Sequence, residues 1–299
     1  MSAPHSIARS HRWLGAIGMV FTALWLQGCA SSTQGGAIGM DRPQLLLVSS
    51  DKLNAGAAQQ FESLSQTALS LRKLNNDPAM TRRVRGIGRD LIEQVGIYRE
   101  DAKQWDWEIN VFDSDQINAF CAPGGKIGVF KGIIEKLQLT DAELAAVMGH
   151  EIAHALREHT REKMSQKTVA GAVGLGLQIG LGVPGEVVNA STDMLVHLPN
   201  SRAMELESDV MGLELMARAG YDPRQASKVW TKMQQLKNSG SKSAFFSTHP
   251  SHADRVNELN AYVPKVLPLY EQAQLRKQAA LAPKGKSNDE VSPLLMGVR

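Results

Sequence analysis

Disulfide chemistry is the first thing this sequence leaves out. Two cysteines in 299 residues, Cys29 and Cys121, cannot build a framework of bridges and show no CxxC spacing. Charge of one sign is missing too. Against 33 basic residues stand 30 acidic ones, with no basic stripe, which excludes nucleic acid as a partner. Bilayer-crossing runs are also absent, since a span takes about 20 apolar residues. Trp13 to Leu26 gives only 14, and Val169 to Val183 gives 15, broken by Gly171, Gly174, Gly176, Gly180 and Gly182 and ended by Pro184. No repeat period follows, so a built-in docking array is not expected. With 43% apolar residues, the chain can still bury one sizeable core.

The richest stretch is His150-Glu151-Ile152-Ala153-His154. Thr140 followed by Glu143 forms a capping box and predicts a helix start. Leu144, Val147, Met148, Ile152 and Leu156 recur at helical spacing and give that helix an apolar face. His150 and His154, four apart, project from one side, one turn above the other. Two neutral imidazoles so placed can bind one Zn²⁺, and Glu151 can serve as general base toward an attacking water.

Residues 1–28 read as an export signal, with Arg9, His11 and Arg12 before the apolar run. The run ends in Leu26-Gln27-Gly28-Cys29, which resembles a bacterial lipobox and predicts lipidation of Cys29. Ala30 after the cysteine predicts the outer membrane, with the domain on the periplasmic side, and acyl chains on Cys29 would hold it to the leaflet. Residues 29–42 read as a flexible tether. A helix start at Ser49-Ser50-Asp51 precedes two helices, with Leu53, Ala57, Phe61, Leu64 and Ala68 on one face of the first and Val84, Ile87, Leu91, Ile92 and Val95 on one face of the second. Trp107, Ile109 and Val111 predict a strand, residues 118–125 a turn, and Lys126, Ile127, Gly128 and Val129 a second strand. Gly128 inside it suggests close approach of another backbone: either an edge strand that adds an extended substrate or a plain core hairpin. Cys121 reads as a buried small hydrophobe.

A catalytic zinc needs a third protein ligand and an open position. His159, His197, Glu205, Glu207, Asp209, His249 and His252 are the candidates. His159 reads as a charged residue near the helix C-terminus. Pro199-Asn200-Ser201 opens a helix to about Ala219, on which Glu205 and Asp209 share a face while Glu207 points away. That assigns Glu205 as ligand and Asp209 as the acceptor behind a ligating histidine. His249-Pro250 forms a turn before a helix that begins near Ser251, and residues after about Ala280 read as disordered.

Together, the His150–His154 motif, Ser201-Arg202-xx-Glu205-x-Glu207-x-Asp209, and Thr248-His249-Pro250 with Arg255 resemble the HtpX/BepA/LoiP-like zinc metallopeptidases, the gluzincin family that also holds the prenyl-protein proteases. The resemblance runs from about residue 43 to 262. It implies an α+β, mainly helical, zincin-like domain with a small β-ribbon over residues 43–265, one zinc per chain, and a C-terminal helix remnant and tail over 266–299. It also implies an envelope endopeptidase that cleaves misfolded envelope proteins, or a non-proteolytic chaperone with a latent zinc site. For His249 it implies a fourth ligand or gate, against a structural turn histidine. Arg255 either orients that turn or stabilises the oxyanion.

Overall fold

The computed structural model describes residues 29–181, 200–238, 243–250 and 254–281. Residues 1–28 and 282–299, with the export-signal and disordered-tail expectations, lie outside that set. So do His197 and His252.

Two helices lead in. Helix α1 (Ser50–Ser70) is capped by Ser49 and buries Phe61 and Ala68. Helix α2 (Pro78–Ile92) begins on Asp77, whose side chain accepts from the N–H groups of Ala79 and Met80, with Pro78 supplying a preset φ at the first turn. Val84, Ile87 and Leu91 line its buried face.

The sheet holds β3 (Glu108–Phe112), β4 (Ala119–Ala122) and β5 (Lys126–Phe130), in the order β3-β5-β4. Strand β3 runs parallel to β5 and β4 antiparallel to it. Two expectations are corrected. Residues 118–125 are not all turn: Ala119 and Cys121 are buried alternately with half-exposed neighbours, and Ala119–Ala122 pairs as a strand. The turn is left to the residues around Gly124 and Gly125, both at positive φ. Second, Lys126, Ile127, Gly128 and Val129 form the central strand, paired on both sides, so they cannot take up a further strand. Gly128 yields to aromatic rings rather than to a backbone. A Cβ there would lie 2.4 Å from the Phe120 ring and 3.0 Å from that of Phe112. Phe61, Phe112, Phe120 and Phe130 cluster around the space it leaves.

After α3 (Lys131–Lys136), helix α4 (Asp141–Leu156) carries the histidine motif through the centre of the core. Its capping box closes both ways: Thr140 N–H donates to Glu143 at 2.8 Å and Glu143 N–H to Thr140 Oγ1 at 3.4 Å. Helix α4 ends at Leu156, and Glu158 turns the chain at φ 49° into α5 (His159–Leu181), whose backbone carries the glycine-rich stretch as far as Leu181. Helix α6 (Arg202–Arg218), capped by Ser201, crosses α4 where two glycines meet. A Cβ on Gly212 would lie 2.7 Å from His150 N, and one on Gly149 3.0 Å from Gly212 O. That bare crossing lets the backbones approach closely enough for α6 to present carboxylates to the α4 histidines.

Helix α7 (Ala226–Asn238) and the short α8 (Ala244–Thr248) cover the crossing, and α9 (Arg255–Leu281) closes the chain. The boundary expected at 265 falls inside α9, because one stripe of Leu259, Val266 and Ala273 stays buried on either side of it. The flexible-tether expectation for 29–42 is also corrected. Cys29–Ala30 (β1) pairs with Gln44–Leu45 (β2), and residues 31–48 lie as a strap over the end of α4. Ser31 and Thr33 accept from Arg157, and Ala37 N–H donates to Glu214. No described helix is long and apolar enough to cross a membrane.

Candidate metal centre

Four buried side chains converge beneath the glycine crossing: His150 and His154 from α4, Glu205 from α6, and His249 from the turn after α8. His154 Nε2 lies 3.0 Å from His150 Nε2 and 3.3 Å from Glu205 Oε1. His249 Nδ1 lies 3.2 Å from His150 Nε2 and 3.1 Å from Glu205 Oε1, while His150 Nε2 is 3.5 Å from Glu205 Oε2. A tetrahedral zinc with arms of about 2.0–2.1 Å would separate its donor atoms by about 3.3 Å. The donor set fits zinc in type, in number and in spacing.

The outer ring nitrogens make the same point. His150 Nδ1 is 2.9 Å from Asp209 Oδ1, and His154 Nδ1 is 2.8 Å from His159 Nδ1. Asp209 draws the His150 proton to Nδ1, and a His154 proton held on Nδ1 toward His159 would likewise leave both Nε2 lone pairs facing one point. Without a cation between them, two such lone pairs would repel. Asp209 is in turn gripped by Arg255, through Nε at 2.5 Å and Nη2 at 2.8 Å. Arg255 Nη2 also lies 2.9 Å from Glu205 Oε2, and its guanidinium sits 3.3 Å over the centre of the Trp230 ring. Arg255 turns Nε and Nη2 to Asp209 and Glu205, the geometry of an orienting residue, while its buried Nη1 has no hydrogen-bond partner among the described residues. Asn200 Nδ2 donates to Glu205 Oε1 at 2.7 Å and receives Lys163 on its own oxygen.

Charge follows from burial and partners. Burial alone would raise the Glu205 carboxyl, but hydrogen bonds from His154 and His249 hold it far below the usual range. Asp209 is likewise held down against burial by Arg255 and His150. Glu151 goes the other way: burial pushes its carboxyl up, against the pull of His249 and His150. Its buried Oε1 has no hydrogen-bond partner among the described residues and stands 3.4 Å from His249 Nε2. A buried carboxylate beside the donor cluster, with its proton affinity raised by burial, is suited to take up a proton.

His159 is where sequence reasoning went furthest astray. It is buried rather than a charged end residue, and burial lowers its basicity despite Glu207. The turn at Glu158 ends α4 early and swings the ring back onto His154. Glu207, outside the donor cluster, accepts from His159 Nε2 at 2.9 Å and from Arg42 and Arg157. Asn200, Lys163 and Arg157 were not singled out at all. A short histidine–histidine spacing across a helix end was the one available signal. Cys29 lies in β1, and Lys126 to Val129 lie in the sheet's centre, outside the donor cluster. Cys121 is buried and free, as expected.

A model of peptidase family M48 matches residues 78–263. The chain is 34% identical over 174 residues to the mitochondrial metalloendopeptidase OMA1 of Saccharomyces cerevisiae, covering 56% of this chain and 50% of that one. Against the metalloprotease LoiP of Escherichia coli it is 27% identical over 153 residues, covering 50% and 60%. Against the β-barrel assembly-enhancing protease of E. coli it is 25% identical over 224 residues, covering 70% and 45%. The chain thus spans about half the length of these relatives, and its likeness is not confined to bacterial members. The family match takes in every residue of the donor cluster and more than half of the chain: this chain belongs to peptidase family M48, and zinc is the metal its donor set serves.

Proposed function

We propose that the chain is a zinc-dependent endopeptidase that cleaves misfolded or misassembled proteins of a bacterial envelope, held to the outer membrane on the periplasmic side by lipid on Cys29. One observation carries the peptidase reading: a donor set of His150, His154, Glu205 and His249 at zinc-like spacing, with a Glu151 oxygen beside it that has no hydrogen-bond partner among the described residues and faces His249 at 3.4 Å. Zinc, when bound, supplies the Lewis acidity that polarises a scissile carbonyl and makes water a better nucleophile. Glu151 takes the water's proton and delivers it to the leaving amine. Asp209 and Arg255 keep His150 aimed throughout. Strand β4, paired among the described residues with β5 alone, is the better candidate than Lys126–Phe130 to receive an extended peptide beside α4.

The envelope location rests on the lipobox-like Leu26-Gln27-Gly28-Cys29 and on similarity to an E. coli protease named for β-barrel assembly. Incorporation of labelled fatty acid into the wild-type chain but not Cys29→Ala tests it. Labelling of both, or of neither, would refute the anchor.

His249 favours a second reading, of a latent resting state. It stands at the fourth corner, where a substrate carbonyl or water would enter, and its ring stacks on Phe245 at 4.3 Å. Glu151→Gln is expected to abolish casein cleavage while zinc content stays at one per chain. His249→Ala is expected to raise cleavage. Unchanged cleavage in Glu151→Gln would sink the enzymatic assignment, and chelator-insensitive holdase activity without cleavage would establish the chaperone alternative.

A further inference from the structure

His159 is buried, is not among the four donors, and has no part in the proton transfer assigned to Glu151. Its two ring nitrogens nevertheless have definite work. His154 needs Nε2 free to bind metal, so its proton sits on Nδ1. The atom 2.8 Å away, His159 Nδ1, must therefore accept. An imidazole that accepts at Nδ1 carries its proton at Nε2, and His159 Nε2 faces Glu207 Oε2 at 2.9 Å. The tautomer of each ring is set by the next group along, and Ser208 Oγ, 3.3 Å from His159 Nδ1, is the other polar neighbour of that atom.

The chain of contacts does not stop at Glu207. Arg42 reaches its carboxylate with Nε at 2.8 Å and Nη2 at 3.0 Å, and Arg157 Nη2 reaches it at 3.0 Å. Arg42 belongs to the strap of residues 31–48. The same guanidinium bonds Glu162 at 2.8 and 2.9 Å, and Gln44 Nε2 bonds both Glu162 and the Arg157 carbonyl. A stretch of chain more than a hundred residues from the histidine motif thus ends in a charge-assisted grip on the group that orients a ligand.

We infer that His159 is a positioning residue of the metal centre, holding His154 in the tautomer that offers Nε2 to zinc and tying that constraint through Glu207 to Arg42 of the strap. The inference rests on the zinc reading. It predicts that the strap is part of the metal site's support, and that its docking and zinc affinity rise and fall together.

The test uses the full chain and measures apparent Zn²⁺ affinity by competition with a chromogenic chelator, the visible spectrum of the Co²⁺-loaded protein, and the melting temperature without metal. His159→Leu removes the acceptor and is expected to weaken zinc binding about 10- to 100-fold and to shift the Co²⁺ spectrum. His159→Asn places an amide oxygen near Nδ1 and is expected to recover most of the affinity. Should His159→Leu fail to fold, Arg42→Met, a change at the protein's surface, is expected to show a smaller loss in the same direction. Wild-type affinity in His159→Leu would overturn the inference. So would a His159→Asn variant as weak as His159→Leu with an unchanged metal-free melting temperature, because the ring would then act only by filling space. Wild-type affinity in a folded Arg42→Met would overturn the link to the strap. Failure of the wild-type chain to bind zinc would overturn the metal reading itself, a result distinct from all of these.

Discussion

His150 and His154 stand one turn apart on one helix and are held in opposite ways. Behind His150 the support is short and enclosed: Asp209 directly, then Arg255 clamped on Asp209 and stacked on Trp230, with all of these side chains buried. Behind His154 it is long and ends near solvent: His159, Glu207, then Arg42, whose side chain is about a third exposed. The first arrangement is enclosed because Asp209 of α6, Arg255 of α9 and Trp230 of α7 are all buried around His150 of α4. The second runs through the strap of residues 31–48, whose Ile38 and Gln44 are buried while Arg42 reaches the surface. A metal site built this way braces one ligand from within the helix crossing and the other through a segment far away in sequence.

Four changes would break or sharpen that contrast. The largest effect is expected on the enclosed side. Arg255→Met leaves Asp209 and Glu205 as buried carboxylates without their cation, and should lower unfolding free energy by about 3–5 kcal/mol in urea titrations of the metal-free protein. A loss under about 1 kcal/mol would mean that this side is not held by Arg255. Next, Asp209→Ala should weaken zinc binding by about 10- to 100-fold, at least as much as any change behind His154. A smaller loss than that of His159→Leu would reverse the order of the two sides. Gly212→Ala, whose Cβ would meet the His150 backbone at 2.7 Å, should push the helices apart, cost about 1–3 kcal/mol and weaken zinc binding with it.

The smallest effect serves as a control at the far end of α4. Glu143 is held below its ordinary 4.5: burial raises it, and Lys232 with the Thr140 N–H outweighs that. A carboxyl depressed in the folded state stabilises above its unfolded value and loses that contribution as pH falls through its lower folded value. Glu143→Gln should therefore cost about 1 kcal/mol near neutrality, flatten the stability profile below about pH 4.5, and leave zinc affinity untouched. A shift in zinc affinity would show that the helix start, too, feeds the site.

What could be read from the sequence divides along the same line. The enclosed side was legible because it is made of local periodicity: a capping box, two histidines four apart, and Glu205 and Asp209 four apart on a second helix. The open side was not, because its cause is a single turn at Glu158, signalled only by the short spacing of His154 and His159 across the helix end. Read as a charged residue near the helix end, His159 gave no sign of being buried against His154 and Glu207. The strap was missed for a related reason. Ser31, Thr33, Arg42 and Gln44 look like a polar linker in composition, and only their distant partners Arg157, Glu162 and Glu207 give them a fixed place. The central position of Lys126–Phe130 was hidden likewise, since a parallel partner from earlier in the chain leaves no local mark.

The central claim is a zinc held by three imidazoles and one carboxylate, with His249 as the removable fourth donor. X-ray absorption at the zinc edge on the full chain and on His249→Ala tests it most directly. One zinc per chain is expected in both, with nitrogen and oxygen donors at about 2.0–2.1 Å and one imidazole fewer in the variant. The same imidazole count in both proteins, a sulfur donor, or no bound zinc would contradict it.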